Sequence, residues 1–289
     1  MGGSRLSPGR QGEKCLVVCA DDFGRDVAIN EAIEEAHQKG ILTVTSLMVG
    51  EPAVADAVAR ARRLPNLGVG LHLVLADGAP LLPAAEVPAL VGADGKFDPN
   101  MVRAGFRFYF SPAARRQLAV EIRAQFTAFA ATGLPLDHVN GHKHVHLHPT
   151  VARLVVEIGC EFGMHAVRLP WEPVAPLRLA APDEQRGAPA WSPVVTSLRR
   201  RLDRAGLARN DQVFGLAWSG AMTEDRLVAL LPHLPDGVSE IYGHPACGAA
   251  SFAPGYRHAE ELAALVSPRV RRLVEELGLR LLRYADLTG

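Results

Sequence analysis

The sequence predicts an α/β protein, an irregular (β/α) barrel of seven or eight mostly parallel strands that is TIM-barrel-like. Apolar, β-rich runs alternate with helical patterns along the chain, and this alternation is typical of a parallel sheet covered by helices. The 289 residues hold seven or eight such units, and α/β barrels of this length often form one domain. We therefore expect one closed or nearly closed barrel.

The strands are predicted from short apolar runs. The first, LVVCA at 16–20, is apolar at every position, which is the pattern of a strand buried on both faces. Runs of similar character recur along the chain. We predict strands at 15–20, 42–49, 67–74, 135–141, 164–169, 213–218, 237–243 and 279–285.

The helices are predicted from capping signals and from apolar spacing. A Ser-Pro pair at 111–112 is typical of the first positions of a helix, and Gly133 is typical of its end. A second Ser-Pro pair, at 267–268, opens a helix that Gly278 closes. Residues 150–162 carry apolar side chains at helical spacing. These signals place helices between the predicted strands.

Two long, Pro-rich segments interrupt the alternation. They lie near 76–111 and 171–210 and lack clear strand character, so we expect them to be insertions in the barrel. Residues 1–14 are polar and Gly-rich without an apolar core, and they predict a disordered leader. The remaining residues, 15–289, are expected to form a single domain.

The composition argues against several classes of function. Thirty-one basic and thirty-one acidic residues give a formal net charge of zero, so no nucleic-acid partner held by bulk charge is expected. The four cysteines show no C-x-x-C spacing and indicate reduced thiols in a cytoplasmic protein. No run approaches the ~18 consecutive apolar residues of a membrane span.

Candidate catalytic residues lie where the predicted strands end. In parallel α/β barrels the reactive groups sit at the carboxyl ends of the strands. Here these positions carry Asp21 and Asp22 after the first strand, His72 in the later half of the third, and His244 after the strand at 237–243. We expect these side chains to share one rim of the barrel.

The stretch LDHVNGHKHVHLHP adds four histidines at alternating positions. A continuing strand would put all four on one face, but Gly141 and Pro149 indicate that the strand stops there. We therefore expect only the first one or two to enter the barrel mouth. The four are His142, His144, His146 and His148.

One carboxylate and two imidazoles are typical of a divalent metal site that keeps positions open for water and substrate. A second carboxylate beside the ligands suits a general base that acts on water at the metal. The adjacent pair Asp21 and Asp22 would then divide these roles, one holding the metal and the other taking a proton. A two-metal phosphoesterase is a poorer match, because the sequence shows no second carboxylate-rich site.

At these residues the chain resembles the YdjC/ChbG-like carbohydrate deacetylases. The resemblance covers nearly the whole chain and rests, in this order, on ADDFG, GILTVTSLMVG, VGLHLVL, LDHVNGHKHVHLHP, EIYGHPACG and YRHAEELAAL. It implies a (β/α) barrel that removes acetyl groups from N-acetylglucosamine-type amides. It also implies one divalent metal ion, Mg or Zn, held by Asp22, His72 and His142. Asp21 would be the catalytic base and His244 the general acid.

Within that family the chain is most similar to the hopanoid-biosynthesis-associated branch, HpnK. The segments that carry this similarity are ARARRLPNLGVGLHLVLADGAPLLP and RRQLAVEIRAQFTAFAATGLPLDHVN. The similarity implies that the substrate is an N-acetylglucosamine attached to a hopanoid. Two alternatives are a deacetylase of soluble N-acetylated oligosaccharides and a non-catalytic sugar-binding barrel with a structural metal.

Three further features are candidate substrate or membrane contacts. Arg168 could bind a sugar hydroxyl, set the charge of Asp21, or form a rim salt bridge. Residues 194–204 predict a basic amphipathic helix, which either packs on the barrel or lies on the inner face of the cytoplasmic membrane. The first insertion holds a cluster of aromatics, interpreted as a packed loop or as an apolar lid over a greasy substrate. They are Phe106, Phe108, Tyr109 and Phe110.

Overall fold

The computed structural model describes residues 12–184, 192–248 and 253–287, in which helices surround a parallel sheet. The strands are β1 (Lys14–Phe23), β2 (Val44–Leu47), β3 (Gly68–Leu73), β4 (Val139–Gly141), β5 (Gln212–Phe214), β6 (Gly237–Gly243) and β7 (Arg280–Leu281). The helices are α1 (Val27–Lys39), α2 (Val54–Ala61), α3 (Met101–Phe110), α4 (Pro112–Ala131), α5 (Pro149–Glu161), α6 (Val174–Ala180), α7 (Ser192–Ala205), α8 (Glu224–Leu230), α9 (His258–Val266) and α10 (Pro268–Glu276).

The sheet is curled into a half-barrel. Its strand order is β4-β3-β2-β1-β6-β5, with β7 paired to the first residues of β1, and these pairs are parallel. Backbone hydrogen bonds continue beyond β4. The N–H of Val139 donates to Ala166, and the N–H of Val167 donates to Ala208, which leads towards β5. The predicted fold class is confirmed.

Several predicted strands are shorter than expected: β2 keeps 44–47 of the predicted 42–49, and β4 keeps 139–141 of the predicted 135–141. Three others are shortened for local reasons. The strand predicted at 164–169 is reduced to two single bridges, at Ala166 and Val167. Beyond them the N–H and the carbonyl of Leu169 bond to the side chain of Asn210 instead of a neighbouring strand. The strand predicted at 213–218 ends at Phe214, where Gly215 takes a φ of +134°. The strand predicted at 279–285 is cut short at Leu281, and a 3₁₀ turn begins at Tyr284.

The predicted helix starts are confirmed. Ser111 caps α4 by accepting the N–H of Ala114, and Ser267 caps α10 in the same way. The first insertion contains α3, and the second contains α6 and α7. Residues 1–11 of the predicted leader and residues 185–191 of the second insertion lie outside the described residues, while the last leader residue, Lys14, already belongs to β1.

Strand β1 separates the two apolar cores. Leu16 and Val18 belong to the core that lies under the helices, whereas Val17 and Cys19 belong to the smaller cluster that includes Tyr242 and Tyr284. Successive side chains of a strand point to opposite faces. The odd-numbered series therefore leads through the smaller cluster towards Asp21.

The basic amphipathic helix predicted at 194–204 is the greater part of α7, and its apolar stripe is buried. Val195, Leu198 and Leu202 belong to the core under the helices, so the packed interpretation holds for this helix. Among the described residues, no helix combines the length and apolar character that crossing a bilayer requires.

Gly40 closes α1 where this helix approaches α9. A Cβ built on Gly40 would lie 2.3 Å from the carbonyl oxygen of Leu265 and 2.6 Å from that of Ala36. Both atoms are backbone, and the carbonyl of Leu265 also accepts the N–H of Ile41 at 3.1 Å. The absence of a side chain at residue 40 therefore sets the spacing between α1 and α9.

Gly40→Ala is expected to lower the free energy of unfolding by roughly 1–3 kcal/mol, because the added methyl group forces the two helices apart. The measurement is urea denaturation followed by circular dichroism. Gly255→Ala is the control, because a Cβ at Gly255 meets nothing within 4 Å. Equal stability of the two variants would contradict this account of the helix spacing.

Candidate active site

The predicted strand-end residues meet in a cavity of about 320 Å³. Asp21, Asp22, His72, His142 and His244 all line it. The structure thus brings together every residue that the sequence analysis names as a base, an acid or a metal ligand.

Asp21 and Asp22 both reach this cavity because β1 ends in a β-bulge. Adjacent residues of a regular strand would point to opposite faces. Between the pairs Ala20–Thr45 and Phe23–Leu47, however, β1 has one residue more than β2. Asp22 takes a φ of 70° at this point. The extra residue turns the chain, so that two neighbouring carboxylates share one site.

Asp22, His72 and His142 form a group that could hold a metal ion, with one ligand atom from each lying within 4.8 Å of the others. Oδ1 of Asp22 is 3.4 Å from Nε2 of His72 and 3.5 Å from Nδ1 of His142. Oδ1 of Asp22 and Nε2 of His72 are buried without a hydrogen-bond partner. A buried carboxylate oxygen and a buried ring nitrogen that face each other unpaired fit a shared cation.

His72 is held in the form that a metal ligand requires. Its Nδ1 lies 2.7 Å from Oδ1 of Asn140 and 3.0 Å from Oγ of Ser46. Since the amide oxygen only accepts, Nδ1 carries the proton and Nε2 is free to bind a metal. Burial, partly offset by Asp21 and Asp22, lowers the pKa of His72 to about 4. The imidazole is therefore neutral near pH 7.

Asn140 links this ligand to the second carboxylate. Its Nδ2 donates to Oδ1 of Asp21 at 3.1 Å, while its Oδ1 accepts from His72. Ser46 supports the same pair by donating to Oδ1 of Asp21 at 2.8 Å. One amide side chain thus orients His72 and Asp21 together without adding charge to the site.

Arg168 lies beneath Asp21 inside the barrel and is fully buried. Its Nη1 and Nη2 donate to the two oxygens of Asp21 at 2.6 and 2.9 Å. Its Nε and Nη2 also donate to Glu240, at 2.7–3.0 Å. Arg168 is not among the described residues that line the cavity, and its guanidinium bonds to the carboxylates of Asp21 and Glu240.

The charge of Asp21 follows from these neighbours. Burial opposes ionisation, but the Arg168 guanidinium, with a smaller contribution from His72, holds the pKa of Asp21 well below its usual range. Burial likewise opposes ionisation of Asp22, and His142 and His72 lower its pKa in spite of this. Both carboxylates are consequently ionised near neutral pH.

Glu240 and Tyr284 complete this buried network and were not anticipated from the sequence. Tyr284 donates to Glu240 at 2.7 Å, and the ring of Tyr242 lies 4.6 Å from the guanidinium carbon of Arg168. The sequence does contain one indication of this network, a glutamate in the middle of the apolar strand at 237–243. Because an unpaired buried charge is costly, such a residue implies a buried partner.

The rim of the cavity is built from unusual backbone. Among the described residues, every non-glycine residue with positive φ lines the cavity. Two of these residues, Asp77 and Lys143, form an ion pair of 2.6 Å. Such conformations are unfavourable for side chains with a Cβ, and they concentrate at functional sites. The five residues are Asp22, Asp77, Lys143, His144 and Ala253.

The histidine cluster behaves largely as predicted. A 3₁₀ segment begins at His142 directly after β4, so the strand does not continue, and His142 and His144 line the cavity. His146 is buried, with Nε2 3.1 Å from the carbonyl oxygen of Arg168. His148 packs edge-on against Phe108, with ring centroids 5.7 Å apart.

The aromatic cluster of the first insertion is a helix, α3, and none of its four rings is among the described residues that line the cavity. Phe108 is buried against His148 and belongs to the core. The other three are more than half exposed, as is Val102 one turn earlier. Helix α3 packs beside α5, and its Gly105 approaches His148. The exposed rings therefore lie one layer outside the site.

Arg168→Met is expected to lower the free energy of unfolding by about 3–5 kcal/mol, because Asp21 and Glu240 would remain buried without their counter-charge. In the surviving folded protein, burial would raise the pKa of Asp21, so the acid limb of the activity profile should move to higher pH. Urea denaturation and a pH–rate profile measure the two effects.

Arg123→Met is the matched control for this change. Arg123 forms an equally well-aligned pair with Glu161, at 2.8 Å for both hydrogen bonds, but on the surface. Its removal should leave the unfolding free energy nearly unchanged. A similar loss in both variants would show that burial of the Arg168 pair is not what matters.

Known proteins support the family resemblance. A sequence model of the YdjC-like protein family matches residues 15–276. A carbohydrate deacetylase of Geobacillus stearothermophilus is 31% identical over 275 residues, which cover 93% of this chain and 96% of that protein. A carbohydrate deacetylase of Brevibacillus brevis is 30% identical over 277 residues, which cover 94% and 99%.

The fold is also shared with a solved structure. The crystal structure of a protein from Enterococcus faecalis V583 superposes with a TM-score of 0.76 at 22% identity, covering 96% of this chain and 100% of that one. The match over nearly the whole length, in sequence and in fold, leads to one conclusion. This chain belongs to the YdjC-like protein family.

Proposed function

We propose that this protein is a metal-dependent carbohydrate deacetylase, which hydrolyses the N-acetyl group of an N-acetylglucosamine unit. The observation that carries the proposal is the juxtaposition of the Asp22–His72–His142 group with Asp21 and His244 in one cavity. Family members that are carbohydrate deacetylases, at about 30% identity over nearly the full chain, support the same chemistry.

Asp22, His72 and His142 would hold one divalent ion, Zn²⁺ or Mg²⁺. Two imidazoles and one carboxylate are the ligand set of several hydrolytic zinc sites, which keep one position open. When bound, such an ion polarises a carbonyl and lowers the pKa of water. A purely structural zinc site would fill four protein ligand positions, which favours a catalytic site over the sugar-binding alternative.

Asp21 is the proposed general base. It is ionised, and both of its oxygens are fixed by Arg168, with Ser46 and Asn140 on Oδ1. In the reaction, an oxygen of water forms a bond to the acetyl carbon while Asp21 takes a proton from that water. A base so tightly oriented loses little entropy on reaching the transition state.

His244 is the proposed general acid. It follows Gly243, which pairs with Ala20 of β1 just before Asp21, and its ring lies beside those of Tyr242 and Tyr256. An amide nitrogen leaves poorly as an anion, so the departing amine needs a proton as the carbon–nitrogen bond breaks. His244 supplies it, and the products are acetate and the free amino sugar. Asp21 and His244 thus act in opposite protonation states.

Our finer proposal is that the amino sugar is carried on a lipid, in particular a hopanoid. The sequence similarity to HpnK supports this, and so does the exposed face of α3. Val102, Phe106 and Phe110 follow one another at a spacing of four residues, and the rings of Phe106 and Phe110 stack at 6.1 Å. An exposed apolar patch of this kind marks an interaction surface.

Helix α3 is anchored firmly enough to present this face. Asp98 accepts hydrogen bonds from Arg103 at 2.5 and 2.8 Å and from Arg107 at 3.1 Å. Asn100 caps the first turn by accepting the N–H groups of Val102 and Arg103. We propose that this face meets the polycyclic part of the substrate at a membrane surface, while the sugar enters the cavity beside His142.

His72→Ala should lose bound metal and activity together, because it removes a ligand. Asp21→Asn should keep the metal but lose activity by roughly 10²–10⁴-fold, the usual worth of a general base. Metal analysis of the dialysed proteins and acetate release with added Zn²⁺ or Mg²⁺ give the two readouts. Full activity of metal-free wild-type protein would contradict the proposal.

The lipid proposal predicts a much higher kcat/KM for a lipid-linked N-acetylglucosamine than for soluble chitobiose. Replacing both Phe106 and Phe110 by Ser should abolish this preference, because each engaged ring contributes roughly 1.5–3 kcal/mol of apolar burial. Metal content and activity on the soluble sugar should remain unchanged.

Val120→Ser is the control for the double variant, since Val120 is also about half exposed but lies on α4. It should keep the preference for the lipid-linked sugar. If the wild type prefers chitobiose, or the double variant still prefers the lipid, the lipid proposal fails and the deacetylase proposal stands.

A further inference from the structure

The segment YRHAEE at 256–261 contacts the N–H, the carbonyl and the ring of His244, and it has no role in the chemistry described so far. It contains the last turn of a loop and the first turn of α9. Two of its side chains, those of His258 and Glu261, are buried, although α9 begins at the protein surface. Buried polar side chains at the start of a helix call for an explanation.

His258 and Glu261 fix the backbone of His244. The N–H of His244 donates to Oε2 of Glu261 at 2.5 Å, and Nδ1 of His258 donates to the carbonyl of His244, also at 2.5 Å. The second oxygen of Glu261 accepts the N–H of Met222 at 2.8 Å. With both its backbone groups bound, His244 keeps only the freedom of its own side chain.

Tyr256 restricts that remaining freedom. Its ring lies 5.1 Å from the ring of His244 with a tilt of 59°, and the ring of Tyr242 lies 5.7 Å from the same imidazole. The imidazole is therefore in contact with two tyrosine rings. Both tyrosines line the cavity, so the ring of His244 cannot turn far without meeting one of them.

Gly220 allows Tyr256 to take this place. A Cβ on Gly220 would lie 2.2 Å from the Tyr256 ring, and the residue has a φ of +73°. Tyr256 is fixed further by the contact of its hydroxyl with Oγ of Ser219 at 3.0 Å and by the bond from the N–H of Arg257 to the carbonyl of Gly220. The ring thus lies flat against backbone on one side and faces His244 on the other.

We propose that Tyr256 is a positioning residue for the proton transfer by His244, and that residue 220 must be glycine to leave room for the Tyr256 ring. This inference rests on the proposed function, since it assumes that His244 protonates the leaving amine. Tyr256 acts through His244: the nitrogen–hydrogen bond of the imidazole points at the leaving nitrogen only while the ring keeps its orientation. A misplacement of about 1 Å costs on the order of 100-fold in rate.

The test compares an amide with an ester. N,N′-diacetylchitobiose has a leaving amine that needs a proton, whereas 4-nitrophenyl acetate has a leaving group that departs without one. Tyr256→Ala is expected to lower kcat on the amide by roughly 10–100-fold with little change in KM. On the ester it should stay within about 3-fold of wild type. Tyr256→Phe keeps the ring, so this variant should retain most of the wild-type activity on the amide.

Two further variants separate positioning from general damage. Gly220→Ala leaves Tyr256 in the sequence but displaces its ring, so it should reproduce the selective loss on the amide, whereas Gly255→Ala should not. In a His244→Ala background, Tyr256→Ala should cause no further loss on the amide. Metal content should be unchanged throughout.

The outcomes separate the two proposals. If His244→Ala leaves the amide-to-ester ratio as in wild type, the general-acid assignment itself is wrong. If His244→Ala changes this ratio and Tyr256→Ala does not, only the positioning role of Tyr256 is overturned. An equal loss on both substrates, or an effect confined to KM, would also overturn it, because neither is a defect in protonation of the amine.

Discussion

A guanidinium buried between two carboxylates ties this barrel together. The segment around Arg168 is joined to its neighbours by single bridges instead of a full ladder. Its side chain spans the interior and reaches Asp21 on β1 and Glu240 on β6. Desolvating these charges costs several kcal/mol for each ion unless the geometry compensates. Arg168 meets that condition, because all the bonds it makes to the two carboxylates are 3.0 Å or shorter.

The same arrangement connects stability to chemistry. Asp21 is at once a member of the buried network and a wall of the cavity. Its position is therefore set from below by Arg168 and from the side by Asn140, which also orients His72. The proposed base and the proposed metal ligand are thus held by one continuous chain of hydrogen bonds. Asp21 and His72 therefore cannot shift independently of each other.

Much of the site could be predicted from the sequence, because the ends of the strands can be located there. The rule that reactive groups gather at the carboxyl ends of parallel strands brought Asp21, Asp22, His72, His142 and His244 together correctly. The second carboxylate partner of Arg168 could not be found in this way, since Glu240 lies 72 residues away and periodicity carries no information on such pairs.

Local backbone geometry is the second aspect of the site that could not be predicted from the sequence. The bulge that lets Asp21 and Asp22 share a cavity arises from register with β2 and leaves no signature in ADDFG. Likewise, the aromatic run in α3 gave no sign that Phe108 would turn inward while its neighbours stay exposed. Both outcomes depend on contacts made only in the folded chain.

The left-handed residues around the cavity have a consequence for how this protein can change under selection. Each costs on the order of 1–3 kcal/mol relative to a relaxed backbone, and glycine would remove most of that cost. Lys143→Gly or His144→Gly would thus make the protein more heat-resistant, but each would remove a side chain that lines the cavity. Selection for heat resistance would favour glycine in this loop, whereas selection for turnover would favour the present side chains, as in other proteins whose active sites store strain.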